Sequence, residues 1–305
     1  MKDLKYYLEK ATKEDFALAA INFSNLEALQ AIASATEKLN SPAIISVSES
    51  SVEYMGSFLP FLAKAAKEIN PALFLHLDHG KSFEICKKAV DMGFDSVMID
   101  ASSLPLEDNI ALTKKVCDYA HPKGVLVEGE LGQIKGVEDH ISAANDIYTN
   151  PKDAKKFVEE SGVDLLAVSI GTSHGVYKNG GSNLRFDILA EIEKEIPSTP
   201  LVLHGASSVE AWQIEAFKNV GGALNKAGGI TTENLINAVT NHHIAKVNTD
   251  TDIRLATTTA VRKHLIEKPA SFDPRSYLGE GREKVEEIVM YKLEKILNSK
   301  NKREC

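Results

Sequence analysis

The chain has 305 residues, of which 43% are hydrophobic and 26% charged, and it carries a net charge of -8. No surplus of Lys and Arg is left to neutralise a phosphate backbone, so nucleic acid is excluded as a partner. Small phosphorylated molecules stay open, because a few backbone amides and one or two cations hold them whatever the global charge.

Three sparse cysteines, Cys86, Cys117 and Cys305, fit a reduced protein and not a disulfide framework. Cys86 and Cys117 lie in helical patterns beside apolar neighbours and read as buried filler. The opening MKDLKYYLEKATKEDF has no apolar signal stretch, and no run is long enough to span a membrane. A cytoplasmic location is therefore expected.

Residues 1–13 read as a helix ahead of the main fold. Eight short apolar runs follow: ALAAIN (17–22), AIISVS (43–48), LFLHLDH (73–79), SVMIDA (96–101), VLVEGEL (125–131), LLAVSIG (165–171), PLVLHG (200–205) and IAKVNTD (244–250). Most are near-continuous hydrophobic runs up to a polar end, the mark of parallel strands buried on both faces. Amphipathic segments separate them. Ser82 caps SFEICKKAVDM, with Phe83, Cys86, Ala89 and Val90 on one face and Gly93 as its stop. Leu112, Val116 and Tyr119 form a similar face, ended by His121, Pro122 and Gly124. Eight strand–helix repeats without a G-x-G-x-x-G turn after the first strand predict one closed (β/α)8 TIM barrel. The barrel is expected over about 14–265 of a single 1–305 domain, with a helical extension over 266–305. Within it, 283–298 read as a helix with Val285, Ile288, Val289, Leu293 and Ile296 inward, and NSKNKREC as a frayed tail.

Polar side chains cluster at the strand ends, where barrel active sites lie. They are Asn22, Ser48, Asp78, His79, Asp100, Glu128, Glu130, Ser173, His174, His204, Asn248 and Asp250. His79, His174 and His204 converge on one rim, and three imidazoles with an open position suit a catalytic metal. His121, His140, His242, His243 and His264 read as ordinary surface or core residues, and His76 either as a partner behind the site or as barrel filling. Asp78 is placed for acid–base chemistry or to anchor an imidazole N–H. Glu130 is a candidate fourth ligand. Glu138 and Asp139 lie in a glycine-containing polar loop that reads as a mobile cover. The small-residue turns GTSHG (171–175), HGASS (204–208) and NTDTD (248–252) read as a phosphate cradle. Gly205 and Ser207 supply close backbone approach and a hydroxyl, Thr251 opens a helix, and Lys178 adds a cation.

The chain resembles the class II, zinc-dependent fructose-bisphosphate aldolases. The resemblance rests on NFSNLEALQAI, SVSESSVEYMG, HLDHGKSFEICKKAVDMGFDSVMIDAS, VEGELG, GTSHGVYK, LVLHGAS, KVNTDTDIR and FDPRSYL, in family order over about residues 16 to 280. It implies one catalytic zinc on His79, His174 and His204, with Glu130 as an alternate ligand. It also implies that Asp78 moves the C4 hydroxyl proton, that Glu138 moves the C3 proton, and that Asn248 touches the dihydroxyacetone phosphate moiety. Asn22 joins the substrate pocket. Gly175, Lys178, Gly205, Ser207, Asp250 and Thr251 would surround the first phosphate and a monovalent cation, sodium or potassium. Ser48 and Arg275 would contact the far phosphate, the arginine from its own subunit or from a neighbouring one, and a homo-oligomer (dimer or tetramer) is the expected assembly. Three departures stand out: SLPLEDN replaces a His-containing stretch after IDAS, Gly129 replaces a usual alanine, and Ser50 and Ser51 replace Gly and Ala.

The expected reaction is reversible cleavage of fructose 1,6-bisphosphate to dihydroxyacetone phosphate and glyceraldehyde 3-phosphate. A tagatose-bisphosphate aldolase shares every motif and differs in C4 stereochemistry. Outside this class stand a metal-dependent barrel hydrolase, which would want a His-x-His pair where His76-Leu77-Asp78-His79 stands, and a non-catalytic sugar-phosphate binder, which would not need Asp78 and Glu138.

Overall fold

The computed structural model describes residues 2–138, 141–143, 147–174, 184–224 and 230–304. Its strands are β1 (Leu18–Asn22), β2 (Ala43–Ser48), β3 (Leu73–Gly80), β4 (Ser96–Ile99), β5 (Leu126–Leu131), β6 (Lys135–Glu138), β7 (Ile141–Ala143), β8 (Leu165–Val168), β9 (Ser173–His174), β10 (Leu201–Leu203) and β11 (Lys246–Thr249). The helices are α1 (Leu4–Ala11), α2 (Leu26–Lys38), α3 (Glu49–Met55), α4 (Leu59–Ile69), α5 (Phe83–Asp91), α6 (Leu106–Ala120), α7 (Pro151–Ser161), α8 (Phe186–Glu195), α9 (Ala211–Asn219), α10 (Thr232–Asn241), α11 (Thr251–Glu267) and α12 (Pro274–Tyr291).

Eight parallel strands close on themselves in the order β1-β11-β10-β8-β5-β4-β3-β2, a single TIM barrel. All eight expected runs supply these strands. Their side chains alternate between two cores. Leu18, Ala20, Ile44, Phe74, Leu165, Ala167 and Val202 fill the lumen. Ala19, Ile21, Ile45, Leu75, Leu77 and Val97 face the helices. Helix α1 plugs the bottom of the lumen with Leu4, Tyr7 and Leu8, and the Tyr7 and Phe74 rings lie 5.9 Å apart. Period-two parity then sets what stands above the plug. Phe74 is followed by His76 and Asp78, Ile44 by Ser46 and Ser48, Leu126 by Glu128 and Glu130, and Val202 by His204. Lumen positions therefore change from apolar at the bottom to polar at the rim.

Helix caps follow the sequence. The Ser82 side chain accepts from the Ile85 amide, and Gly93 adopts φ +83° beyond α5. Cys86 and Cys117 are buried, and burial pushes each thiol up to about 12.

Two expectations change. The C-terminal helix begins nine residues early, because Asp273 caps it by accepting from the Arg275 amide and Pro274 occupies its first turn. Its expected inward residues, Val285, Ile288, Val289, Leu293 and Ile296, are all buried, the last two in a π-helical turn at Lys292–Ile296. The tail is not frayed. Arg303 pairs with Glu37 and donates to Asn40 Oδ1 at 2.8 Å and Asn70 Oδ1 at 3.0 Å. The Glu304 carboxylate pairs with Lys10 and accepts from the Tyr6 hydroxyl at 2.7 Å. The tail is thus tied to α1 beneath the barrel.

Gly129, on the outward face of β5, has a packing reason. A Cβ there would fall 2.8 Å from Cε1 of Phe157, whose buried ring fills the space from α7. Gly129→Ala is expected to destabilise by about 1–3 kcal/mol through overpacking. Urea unfolding checks this, and adding Phe157→Leu should recover most of the loss.

Candidate active site

The rim of the barrel is assembled from β3 outward. Asp78 and His79 are neighbours, and a regular strand would point them to opposite faces. A register shift lies between Leu77 and Gly80, and His79 takes a left-handed backbone at φ +49°. That irregularity turns both side chains to the rim. Donor atoms of Asp78, His79 and His204 lie within 4.8 Å of one another, as do those of His79, Asp100 and Glu130. The two imidazole rings stand edge to face, 4.5 Å between centroids.

Each imidazole is held from behind by a carboxylate. His79 Nδ1 meets Asp100 Oδ2 at 2.8 Å, which turns Nε2 to the cluster. His204 Nε2 meets Glu128 Oε1 at 2.7 Å, which turns Nδ1 to the cluster. Asp100 is itself fixed by the Ser102 amide and hydroxyl. Burial works against a charged His79, but the Asp100 hydrogen bond and the charges of Asp78, Asp100 and Glu130 outweigh it and raise its pKa well above 6.5. Asp78 is buried between two amides: Asn22 Nδ2 donates to Oδ2 at 2.8 Å and Asn248 Nδ2 donates to Oδ1 at 2.9 Å. Burial pushes its carboxyl up, but His79, His204 and Lys246 and the Asn22 hydrogen bond prevail and bring it down to about 2. Burial, with the Asp100 charge adding, holds Glu130 well above the usual carboxylate range. Its Oε2 is buried with no hydrogen-bond partner among the described residues.

Beneath the rim lies a buried charged layer. Lys246 Nζ donates to Glu128 Oε2 at 2.6 Å and to His76 Nε2 at 3.1 Å. An ammonium only donates, so His76 accepts at Nε2 and donates from Nδ1 to Ser96 Oγ at 2.8 Å. Burial and the Lys246 charge hold the His76 pKa well below 6.5, consistent with a neutral ring. Lys246 is absent from the sequence-level candidates, and Glu128 stands there only as a strand-end acid. The signal was available: a lysine between Ala245 and Val247 in a buried strand needs an acid partner on the same lumen layer.

The remaining candidates divide. Asn248 Nδ2 also lies 3.2 Å from His204 Nδ1, which ties Asn22, Asp78, Asn248 and His204 into one group. Ser48 caps α3, accepting from the Ser51 amide at 3.4 Å, with the Ser50 and Ser51 hydroxyls each at 3.2 Å. Ser173, Gly205, Ala206, Ser207, Asn248, Asp250 and Thr251 line one small cleft. Gly205 has φ +59°, and a Cβ there would fall 2.6 Å from the Ser173 backbone, so only glycine lets this turn lie against β9. Ser207 Oγ accepts from the Asp250 amide at 3.3 Å, and the Asp250 carboxylate accepts from Arg254 Nε. The Arg275 side chain is 90% exposed and pairs with Asp273 at 2.7 Å.

The segment carrying Glu138 is not a plain loop. β6 and β7 form a hairpin, and β9 pairs with β6 through Lys135↔Ser173 and Gly136↔His174. Backbone amides and carbonyls of Gln133 and Ile147 close its base in both directions. Glu138 and His174 lie on the adjacent strands β6 and β9, and the side chains of both lie outside the described residues. Gly175 and Lys178 lie outside the described residues. No helix among the described residues is long and apolar enough to cross a membrane.

The family profile described as fructose-bisphosphate aldolase class-II matches residues 2–302. The chain is 44% identical to a fructose-bisphosphate aldolase of Treponema pallidum, over 95% of this chain and 94% of that protein. It is 45% identical to one of Thermus caldophilus, over 94% and 95%. Among solved structures, the YdjI aldolase of Escherichia coli superposes with a TM-score of 0.80 at 32% identity, covering 99% of both chains. The chain belongs to the class-II fructose-bisphosphate aldolase family, whose members are metal-dependent carbon–carbon lyases.

Proposed function

We propose that this chain cleaves fructose 1,6-bisphosphate reversibly, as a single-domain, zinc-dependent, cytoplasmic homo-oligomer. The observation that carries the reading is the convergence of Asp78, His79 and His204 with each imidazole fixed by a buried carboxylate. The residues fit a metal. Nitrogen donors suit zinc, the carboxylates behind them set which ring nitrogen faces inward, and Glu130 Oε2 is buried beside His79 without a hydrogen-bond partner among the described residues. His79, His174 and His204 would hold the ion, with Glu130 as an alternate ligand. Bound there, it would act as a Lewis acid on the ketose carbonyl and ease the charge that develops at C3.

The chain's own groups do the rest. Asp78, low in pKa and ionised at neutral pH, takes the C4 hydroxyl proton as the C3–C4 bond breaks and glyceraldehyde 3-phosphate forms. Glu138 returns a proton to C3 of the three-carbon fragment, giving dihydroxyacetone phosphate. Asn22 and Asn248 orient Asp78, and Asn248 touches the ketone fragment. Gly205, Ser207, Asp250 and Thr251, with Gly175 and Lys178, surround its phosphate and a sodium or potassium ion, at the amino end of α11 where free amides favour an anion. Ser48 and Arg275 meet the far phosphate, the arginine from a neighbouring subunit.

A strong chelator is expected to abolish cleavage and zinc to restore it, while borohydride added with substrate leaves activity intact. Turnover that survives complete metal removal would overturn the reading. Parallel assays with tagatose 1,6-bisphosphate fix the C4 stereochemistry.

A further inference from the structure

Behind the cleft lined by Gly205, Ser207 and Thr251 lies a lysine the reaction above does not use. Lys292 opens the π-helical turn that follows α12, and it is only 5% exposed. Its Nζ donates to Ser208 Oγ at 2.8 Å and lies 3.2 Å from Asp252 Oδ2. Ser208 adjoins Ser207 in the turn after β10, and Asp252 adjoins Thr251 in the first turn of α11. The two turns are thus joined twice. In front, Ser207 Oγ accepts from the Asp250 amide. Behind, one ammonium grips both.

Anchoring α12 does not require this arrangement. Val285, Ile288, Val289, Leu293 and Ile296 already bury that face. A buried ion pair costs desolvation that apolar packing avoids, so it is a poor choice for stability alone. Asp252 is fully buried, and apart from its ion pair with Lys292 neither carboxylate oxygen has a hydrogen-bond partner among the described residues. Lys292 is therefore the group that fixes it. A π-helical turn is a recurrent departure at functional positions, and here it sits where the lysine leaves the helix.

We propose that Lys292 is a positioning residue for phosphate binding: by clamping Ser208 and Asp252 from behind, it sets the separation of the two turns that close on the substrate's phosphate. The inference rests on the reading that these turns hold a phosphate. It gives the C-terminal extension a part in holding the phosphate at this cleft, although none of its described residues lines the cleft.

The test uses the metal-loaded enzyme and two readouts, steady-state kinetics with fructose 1,6-bisphosphate and competitive inhibition by inorganic phosphate. Lys292→Met is expected to raise KM and the phosphate inhibition constant about tenfold, with a smaller change in kcat and unchanged metal content. Lys292→Arg should recover part of the loss. If Lys292→Met does not fold, Ser208→Ala removes the ammonium's hydroxyl partner alone and should raise both constants severalfold. Ser207→Ala separates the inference from the reading beneath it. If Ser207→Ala weakens phosphate inhibition and neither Lys292→Met nor Ser208→Ala does, the positioning role is wrong and the phosphate site stands. If none of the three moves it, both fall.

Discussion

Replacing Asp78 with asparagine is expected to lower kcat by about 100- to 10,000-fold, the range lost when a positioned acid–base group is removed. Asparagine is the informative choice, because it keeps the volume and removes the titrating oxygen. The surroundings tolerate it. Asp78 accepts from the amide groups of Asn22 and Asn248, and the Oδ1 atoms of both asparagines are buried without hydrogen-bond partners among the described residues. Rotation of the Asn22 amide presents its oxygen to the new NH2 group. Folding and bound metal should therefore persist. Thermal unfolding, metal content and single-turnover cleavage check the three points separately. A folded, metal-loaded Asp78→Asn protein that keeps more than about a tenth of the parental kcat would remove Asp78 from its proposed role.

Lys246→Met carries the second large effect, on stability and metal affinity together. It removes the cation from a group in which Lys246 and Glu128 are both fully buried. The stranded carboxylate should cost about 3–5 kcal/mol, as breaking a buried pair from one side does. Glu128 also holds His204 Nε2 at 2.7 Å, so the ring loses a fixed partner and metal affinity should fall about 10- to 100-fold. Urea unfolding of the metal-free protein and zinc competition against a chromophoric chelator measure the two parts. Adding Glu128→Gln removes the stranded charge, leaves an oxygen for His204, and should recover most of the stability. Parental stability in the single variant would show that the pair is not what holds this layer.

The barrel was legible because its strands are buried on both faces. AIISVS and LFLHLDH are apolar up to a polar end, and the polar end is where the lumen meets the rim. The three histidines stood out for the same reason. What escaped reading has specific physical causes. Lys246 looks like a polar interruption in IAKVNTD, because a linear pattern does not reveal that Glu128 faces it across the lumen. The β6–β7 hairpin carries Gly136 and lacks a clean alternation, so its pairing comes from neighbouring backbone and not from pattern. The tail is held by Arg303 and Glu304, two side chains with distant partners, and nothing periodic marks them. The turn of Asp78 and His79 to one side depends on a positive φ at a histidine, which no residue type announces.

The strap beneath the barrel bears on how the chain acquires its shape. The Tyr7 hydroxyl donates to the Glu304 carbonyl and accepts from the Glu304 amide, a contact between residues 297 apart in sequence. β1 likewise completes its pairing only with β11. Both joins span nearly the whole chain, so loop-closure entropy is spent before either contact gives anything back. During synthesis the helix that plugs the floor is made well before the residues that pin it. Barrel closure therefore waits for β11, and until then the edge of β1 that β11 covers is open to mispairing.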